Sequence, residues 1–520
     1  MRYSNWFLGK KYRTVQRANP QAQAQAQPQS YNDFLDLSLS QNLSVLRTIF
    51  TLSPDLVIRE FTISYTEEQA ALVYLQGLVD KNSINNNVMR PLQFDSEITG
   101  PDGSFRLSIG QIHKLNAWPQ IENAILQGRS VLFVNGRLET YALDTQGWPQ
   151  RAIEDPSMEA SIKGAHQGFV ETGTQNIALI RRYIANRELK IKEFTIGRRS
   201  NSTISALYLA DVAHPEVLQE LEDRLARLDV DTVINTGELA EYIEDNPYSP
   251  FPQFILTERP DAAASQILQG RIVVVVDRSP SVIVGPATFT SFFQAVDDYS
   301  TRWSIATFIR LLRMFAFFIA VFLPAFYIAV ISYHFEIIPV KLLLTIGEFR
   351  GKVPFPPFVE AVIMEITLEM MREAGIRLPA PVGQTVGIVG GIVIGQAIVQ
   401  AGLINNIMVI VVSFTAIASF ILPNYDMVAA IRLIRFAMMI AASMFGFVGI
   451  VIGMMTMIGH LIALESLGTP YSTPIAPIRF VDWKDAFVRL PVWIMRKRPV
   501  STRAIQPTRL GNNRPKGDGE

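Results

Sequence analysis

The sequence predicts an α+β chain: a cytoplasmic region of two related α/β subdomains, followed by an all-α helical membrane domain of about four spans. Three observations predict it. From Val382 to Tyr425 the chain carries no Lys, Arg, Asp, Glu or His, a run long enough for two membrane crossings at about 20 residues each. The pentapeptide Ile-Leu-Gln-Gly-Arg occurs twice, at Ile125–Arg129 and Ile267–Arg271, each time ahead of a β-like run. The apolar content of 49% and mean hydropathy of +0.20 are high for a soluble chain and low for an all-membrane one, as a chain with both parts requires.

The formal net charge of zero over 520 residues makes no case for nucleic acid as a partner. Without cysteine there is no disulfide framework, thiol nucleophile or Cys-based zinc site. His113, His166, His214, His334 and His460 are scattered without ligand-like spacing, so neither a metal nor a cofactor is expected. Residues 1–30 are basic at first and then Gln/Ala-rich. They lack the apolar stretch of a secretory signal and cannot bury a core, so they read as a disordered tether that stays in the cytoplasm.

Residues 31–150 and 151–301 read as α/β subdomains 1 and 2, with Pro149, Pro156 and Gly164 at the join. Besides the repeated pentapeptide, Phe61-Thr62-Ile63 is answered by Phe194-Thr195-Ile196, and Tyr74-Leu75 by Tyr208-Leu209, in the same order and at nearly the same offset. Three ordered matches indicate duplication. In each copy the Gly-Arg step closes a helix and opens a hairpin, because Gly tolerates the left-handed cap conformation. Pro215 starts a helix whose Leu218, Leu221, Leu225 and Leu228 form a core-facing stripe. Glu171, Asn176, Arg181, Arg182, Glu258 and Arg259 are dense enough to bind an anion, but ion pairs at a subdomain or subunit seam explain them better. No nucleophile-base or paired-acid arrangement supports an enzyme.

Residues 302–465 form the predicted membrane domain. Arg302, Arg310 and Arg313 precede a first span over Met314–Tyr333, with Pro324 inside it. Basic residues ahead of a span hold that end in the cytoplasm. Residues 357–376 are helical in pattern but too charged to face lipid, since each charge near the bilayer centre costs about 2.5–3.5 kcal/mol. They are expected at the outer interface or along a wet vestibule, with Glu365, Glu369 and Glu373 as its acidic edge. Whether the segment spans, re-enters or lies on the membrane is left open by the sequence. The uncharged run is a hairpin turning at Asn405-Asn406. Its first arm carries Gly383, Gly387, Gly391 and Gly395 for close helix packing, and Thr385, Ile392, Gln396 and Val399 share another face, the candidate pore lining. Arg432 and Arg435 are expected in a short connection before a last span over Phe436–Leu464. Residues 466–520 form a basic tail marked by Arg496-Lys497-Arg498, which places the C-terminus in the cytoplasm as well.

Several segments carry a family resemblance: GFVETGTQNIALIRRYI (Gly168 to Ile184), SPFPQ (Ser249 to Gln253), TERPD (Thr257 to Asp261), DDYSTRW (Asp297 to Trp303), VPFPPFVEAVIMEITLEMMREAGIRLP (Val353 to Pro379) and GQTVGIVGGIVIGQA (Gly383 to Ala397). From about Pro54 to Pro491 the chain resembles the A subunits of GerA-type endospore germinant receptors. His166 departs from the family's Pro. The resemblance implies a spore inner-membrane protein with both termini on the spore core side. It implies a transporter-like B subunit and a lipoprotein C subunit as partners. It also implies assembly of A subunits, as pentamers, into a germinant-gated channel that releases monovalent cations. The alternative is a non-conducting scaffold or signalling subunit that couples a sensing partner to downstream germination machinery. The nutrient, the stoichiometry and the ion selectivity cannot be read from the sequence.

Overall fold

The computed structural model describes residues 34–94, 105, 107–147, 159, 164, 166–379, 382–383, 391 and 395–511. The first half runs α1 (Leu39–Ile49), β1 (Leu56–Thr62), β2 (Gln69–Leu75), a helical segment over residues 81–94, β3 (Ile112–Leu115), α2 (Trp118–Leu126), β4 (Ser130–Val134) and β5 (Thr140–Leu143). The second runs α3 (Gly173–Tyr183), β6 (Leu189–Ile196), β7 (Ser202–Leu209), α4 (Pro215–Ala226), α5 (Thr236–Ile243), β8 (Ile255–Thr257), α6 (Pro260–Leu268), β9 (Ile272–Val276) and β10 (Val282–Gly285).

The two antiparallel sheets have the same strand order, β1-β2-β4-β5-β3 and β6-β7-β9-β10-β8. Val131 and Ile272 lie on the third strand of their respective sheets. In each copy of the repeated pentapeptide the glycine takes a positive φ, +83° at Gly128 and +95° at Gly270. That conformation ends α2 and α6 and turns the chain into a central strand buried at every position. Helix α4 buries Leu221 and Leu225, with Leu218 and Leu228 packed at the edge of the same core.

Helix α3 sits between the sheets. Its Ile177, Leu179 and Ile180 join the core of the second half, while Ala178 joins that of the first. At Gly77, φ +85°, a Cβ would stand 2.8 Å from that of Ala178, so only glycine admits the helix here.

The longer helices that follow among the described residues are α7 (Trp303–Tyr333), α8 (Val340–Arg350), α9 (Pro357–Arg377), α10 (Asn406–Phe420) and α11 (Tyr425–Ala463). By length and composition α7 and α11 are each sufficient to cross a membrane. Helix α7 begins eleven residues before the expected Met314, so Arg310 and Arg313 lie within the helix and not ahead of it. The tether and half of the first hairpin arm, residues 384–390 and 392–394, lie outside the described residues. Residues 466–511 fall in the expected basic tail. They fold back over the second sheet, where Ile505 N donates to the Val212 carbonyl (2.8 Å) and Ala504 packs on Gly270.

Candidate functional site

Helix α9 starts at Pro357, whose missing N–H costs nothing at a helix start. Its Ala361 and Met364 enter the helical core, which draws Glu360 and Glu365 inside with them, at 1% and 2% exposure. A carboxylate there needs a cation or donors. For Glu365 the cation is Arg435, also buried: Nη1 lies 2.6 Å from Glu365 Oε2. Arg435 Nη2 donates to Ser419 Oγ (2.6 Å) and Nε to the Ala320 carbonyl (2.7 Å).

That last bond explains Pro324. A proline inside a helix leaves the carbonyl four residues earlier without its partner, and residue 320 is that position. One guanidinium thus ties α7, α9, α10 and α11 together.

The ladder continues along α9 in both directions. Glu369 pairs with Arg372 and with Arg432 (3.1 Å), and Glu373 pairs with Arg377 (2.7 Å) at the exposed end. Glu360 accepts from Asn405 N (2.9 Å), and Asn405 Oδ1 caps α10 through Ile407 N (3.0 Å). The structure therefore corrects two expectations. Arg432 and Arg435 are inside α11, not in a connection before it, and the expected acidic edge is a row of ion pairs. Helix α9 packs against α7, α10 and α11. Charge forces both outcomes: the arginines in an apolar stretch and the glutamates in another each cancel the other's burial cost.

Of the other expected site residues, Thr385, Ile392 and Gly387 lie outside the described residues. Gln396 is exposed and Val399 half-buried. A Cβ on Gly383 would meet the Gly375 carbonyl at 2.8 Å, and one on Gly391 the Met371 side chain at 3.7 Å, whereas Gly395 faces open space.

At the seam of the two halves, Arg181 is 1% exposed and pairs with Asp55 through Nε (2.5 Å) and Nη2 (2.9 Å). Asn176 holds the Val170 backbone from both sides and reaches the Ser279 carbonyl. Glu171 and Glu258 contribute backbone carbonyls, to Arg278 N and Phe169 N. Arg182 is exposed, and its Nη1 donates to Gln167 Oε1 (3.5 Å).

Arg259 belongs to a second seam, between the second sheet and the helices. It pairs with Asp261 (2.8 Å) and Asp297 (3.2 Å). The adjacent Asp298 takes both Arg310 and Arg313 at 2.9 Å. Tyr299 donates to Asp485 (2.8 Å), its ring flanked by Arg310 and Arg489 at 5.4 and 5.6 Å. Burial pushes the Tyr299 hydroxyl well above the usual range. Every residue from Asp297 to Tyr299 thus fastens the start of α7. Sequence reasoning missed Asp298, Arg310 and Asp485 as one cluster, although arginines on the apolar helix were a signal that carboxylates must come from elsewhere.

The same seam carries a titratable group. Glu244, in the loop after α5, has its carboxyl pushed up to about 7 by burial. The native state then holds a proton that the unfolded chain releases near pH 4.5, so stability falls as pH rises from about 4.5 to about 7. Glu244→Gln is expected to leave the melting temperature unchanged at pH 4.5 and to raise it at pH 8. Thermal unfolding of the detergent-purified protein at both values checks the sign.

Residues 44–501 match the family described as Bacillus/Clostridium GerA spore germination protein. The chain is similar to spore germination protein KA of Bacillus subtilis (strain 168), 40% identical, covering 92% of this chain and 89% of that one. It is also similar to GerLA of Bacillus cereus, 39% identical over 86% and 92% of the two chains, and to spore germination protein B1 of Bacillus subtilis (strain 168), 37% identical over 89% and 97%. Among solved structures, the N-terminal domain of the A subunit of the Bacillus megaterium spore germinant receptor GerK3 matches with 26% identity and a TM-score of 0.39, covering 50% of this chain and 99% of that one. With residues 44–501 matching the family and relatives 37–40% identical over most of both chains, the chain belongs to the GerA spore germination protein family.

Proposed function

We propose that this chain is the A subunit of a nutrient-responsive spore germination receptor. Copies assemble, as pentamers, in the spore inner membrane and form a germinant-gated channel that releases monovalent cations, beside a transporter-like B subunit and a lipoprotein C subunit. The observation that carries the reading is the first hairpin arm. Amides at Gln396 and Gln400 are exposed on an otherwise apolar helical stretch, and Gly395 nearby faces open space. In a bilayer such an amide needs protein or water beside it, which a ring of copies around an aqueous axis supplies. An even number of crossings keeps both ends of the helical region on one side. Asp485 beyond α11 touching Arg310 near the start of α7 supports an even number.

In this reading the Ile392 ring narrows the lumen and gates it by dewetting. Ile392→Ala is expected to raise resting potassium flux through the purified receptor in liposomes, without nutrient, by roughly tenfold or more, a barrier change of about 1.4 kcal/mol. Normal resting flux and a normal nutrient response, at wild-type assembly, rule this face out as the gate. No flux from any assembled receptor favours the scaffold.

A further inference from the structure

Between the end of α11 and the residues that cover the second sheet, the chain crosses the start of α7. Thr307 Oγ1 donates to the Arg489 carbonyl (3.1 Å), Arg489 Nη2 donates to the Tyr299 carbonyl (3.3 Å), and Arg310 pairs with Asp485 (3.1 Å). These contacts fix the level at which the segment lies. About 20 residues counted back from Tyr333 fill a hydrocarbon core and end near Met314. At 1.5 Å per residue, Thr307 and Arg310 then stand about 6–10 Å outside that core, at the depth of the headgroups.

The segment held there displays apolar side chains. Phe480 is 69% exposed and Ile478 64%, and Val481, Trp483, Val492 and Ile494 are exposed as well. They are not loosely placed. The Trp483 ring packs between those of Phe480 and Phe487 at 5.1 and 5.3 Å, and its Nε1 donates to the Pro474 carbonyl (3.3 Å). An indole with its N–H satisfied and its ring outward suits the boundary between water and lipid.

Charge is sorted by direction. Between residues 474 and 498 the carboxylates are Asp482 and Asp485, and both turn into the protein. Asp482 accepts from Val500 N (3.0 Å) and Ser501 N (3.1 Å), while Asp485 takes Tyr299 and Arg310. Lys484, Arg496 and Lys497 are exposed, as is Arg302 just ahead of α7. The outward surface is therefore apolar and cationic, the combination that binds an anionic leaflet.

We propose that residues 475–494 lie in the headgroup layer on the sheet side of the bilayer and bind anionic phospholipid. The apolar side chains reach the acyl boundary, and Lys484, Arg496, Lys497 and Arg302 meet the phosphates. Lipid is the occupant because the segment meets α7 at Thr307, beside the exposed Phe308 and Leu311, and so continues the apolar surface of a crossing helix. The proposal rests on α7 crossing a membrane and not on conduction.

The absence of cysteine permits single labels. An environment-sensitive fluorophore goes on Ile478→Cys or Val481→Cys, with Tyr65→Cys in the first half as an exposed control, in the full-length protein reconstituted in liposomes. Phosphatidylglycerol carrying a nitroxide near the top of its acyl chain is expected to quench either tail label at least twice as strongly as the control. The same nitroxide on phosphatidylcholine is expected to quench the tail labels about half as well, since each basic side chain near the surface favours anionic lipid. Lys484→Gln with Lys497→Gln is expected to make the two lipids equal. Tail labels quenched no more than the control overturn the proposal: access to aqueous iodide would then show a bare surface, and protection from it a second copy or another protein as the cover. Equal quenching by the two lipids with both lysines present overturns the anionic preference. Cation flux is read separately, so a receptor that conducts nothing refutes the channel and leaves this test intact.

Discussion

Arg435→Leu is expected to lower stability by about 3–5 kcal/mol, the typical cost of stripping a buried ion pair of one member, and to remove most of the folded protein from membranes. The mutation leaves the Glu365 carboxylate buried, the Ala320 carbonyl without a donor and Ser419 without its guanidinium. Adding Glu365→Leu removes the stranded charge and should recover the larger part, since apolar replacement of a whole buried pair is often neutral or better. Adding Pro324→Ala should recover about 1–3 kcal/mol more, by giving the Ala320 carbonyl an N–H four residues on. Membrane abundance and thermal aggregation temperature in detergent, measured across the series, test the order. A single Arg435→Leu chain as stable as wild type would exclude the knot as a structural element.

Arg181→Met acts on the other side of the molecule with similar force. It strands Asp55, whose side chain is 10% exposed, at the junction between the sheets. A loss of about 3 kcal/mol is expected. Because Arg181 reaches across the seam while its neighbour Ala178 packs in the other half, the halves should also uncouple. Denaturant unfolding of the full chain would then change from one cooperative transition to two. Asp55→Asn in the same background should restore part of the loss. Persistence of a single transition with an unshifted midpoint would show that apolar packing of α3 alone joins the halves.

The repeat was legible because a helix followed by a strand needs a residue at positive φ, and Gly128 and Gly270 leave that mark in the sequence. The uncharged run was legible because lipid excludes charge over a fixed length. What escaped was pairing across distance. Glu365 and Arg435 are 70 residues apart on separate helices, and each read alone as an obstacle to burial. Together they permit it. The start of α7 was misjudged for the same reason: Arg310 and Arg313 looked like a boundary until Asp298 and Asp485 neutralised them inside the fold. Of the candidate pore face, Thr385 and Ile392 lie outside the described residues.

The return of the C-terminal segment to the second sheet sets an order for biosynthesis. Gln506 bonds to Asp211 from 295 positions away, and Arg503 pairs with Glu216 from 287. At roughly 10 residues per second of translation, the ribosome finishes the Val212 and Gly270 surface about half a minute before its cover exists, and all of the apolar helices emerge in between. The sheet must therefore wait, open on one side, while the helices enter their environment, and the final strap is fastened only when the rest of the chain is in place. A chain truncated between α11 and Ala504 lacks that cover and leaves the flank of the second sheet bare.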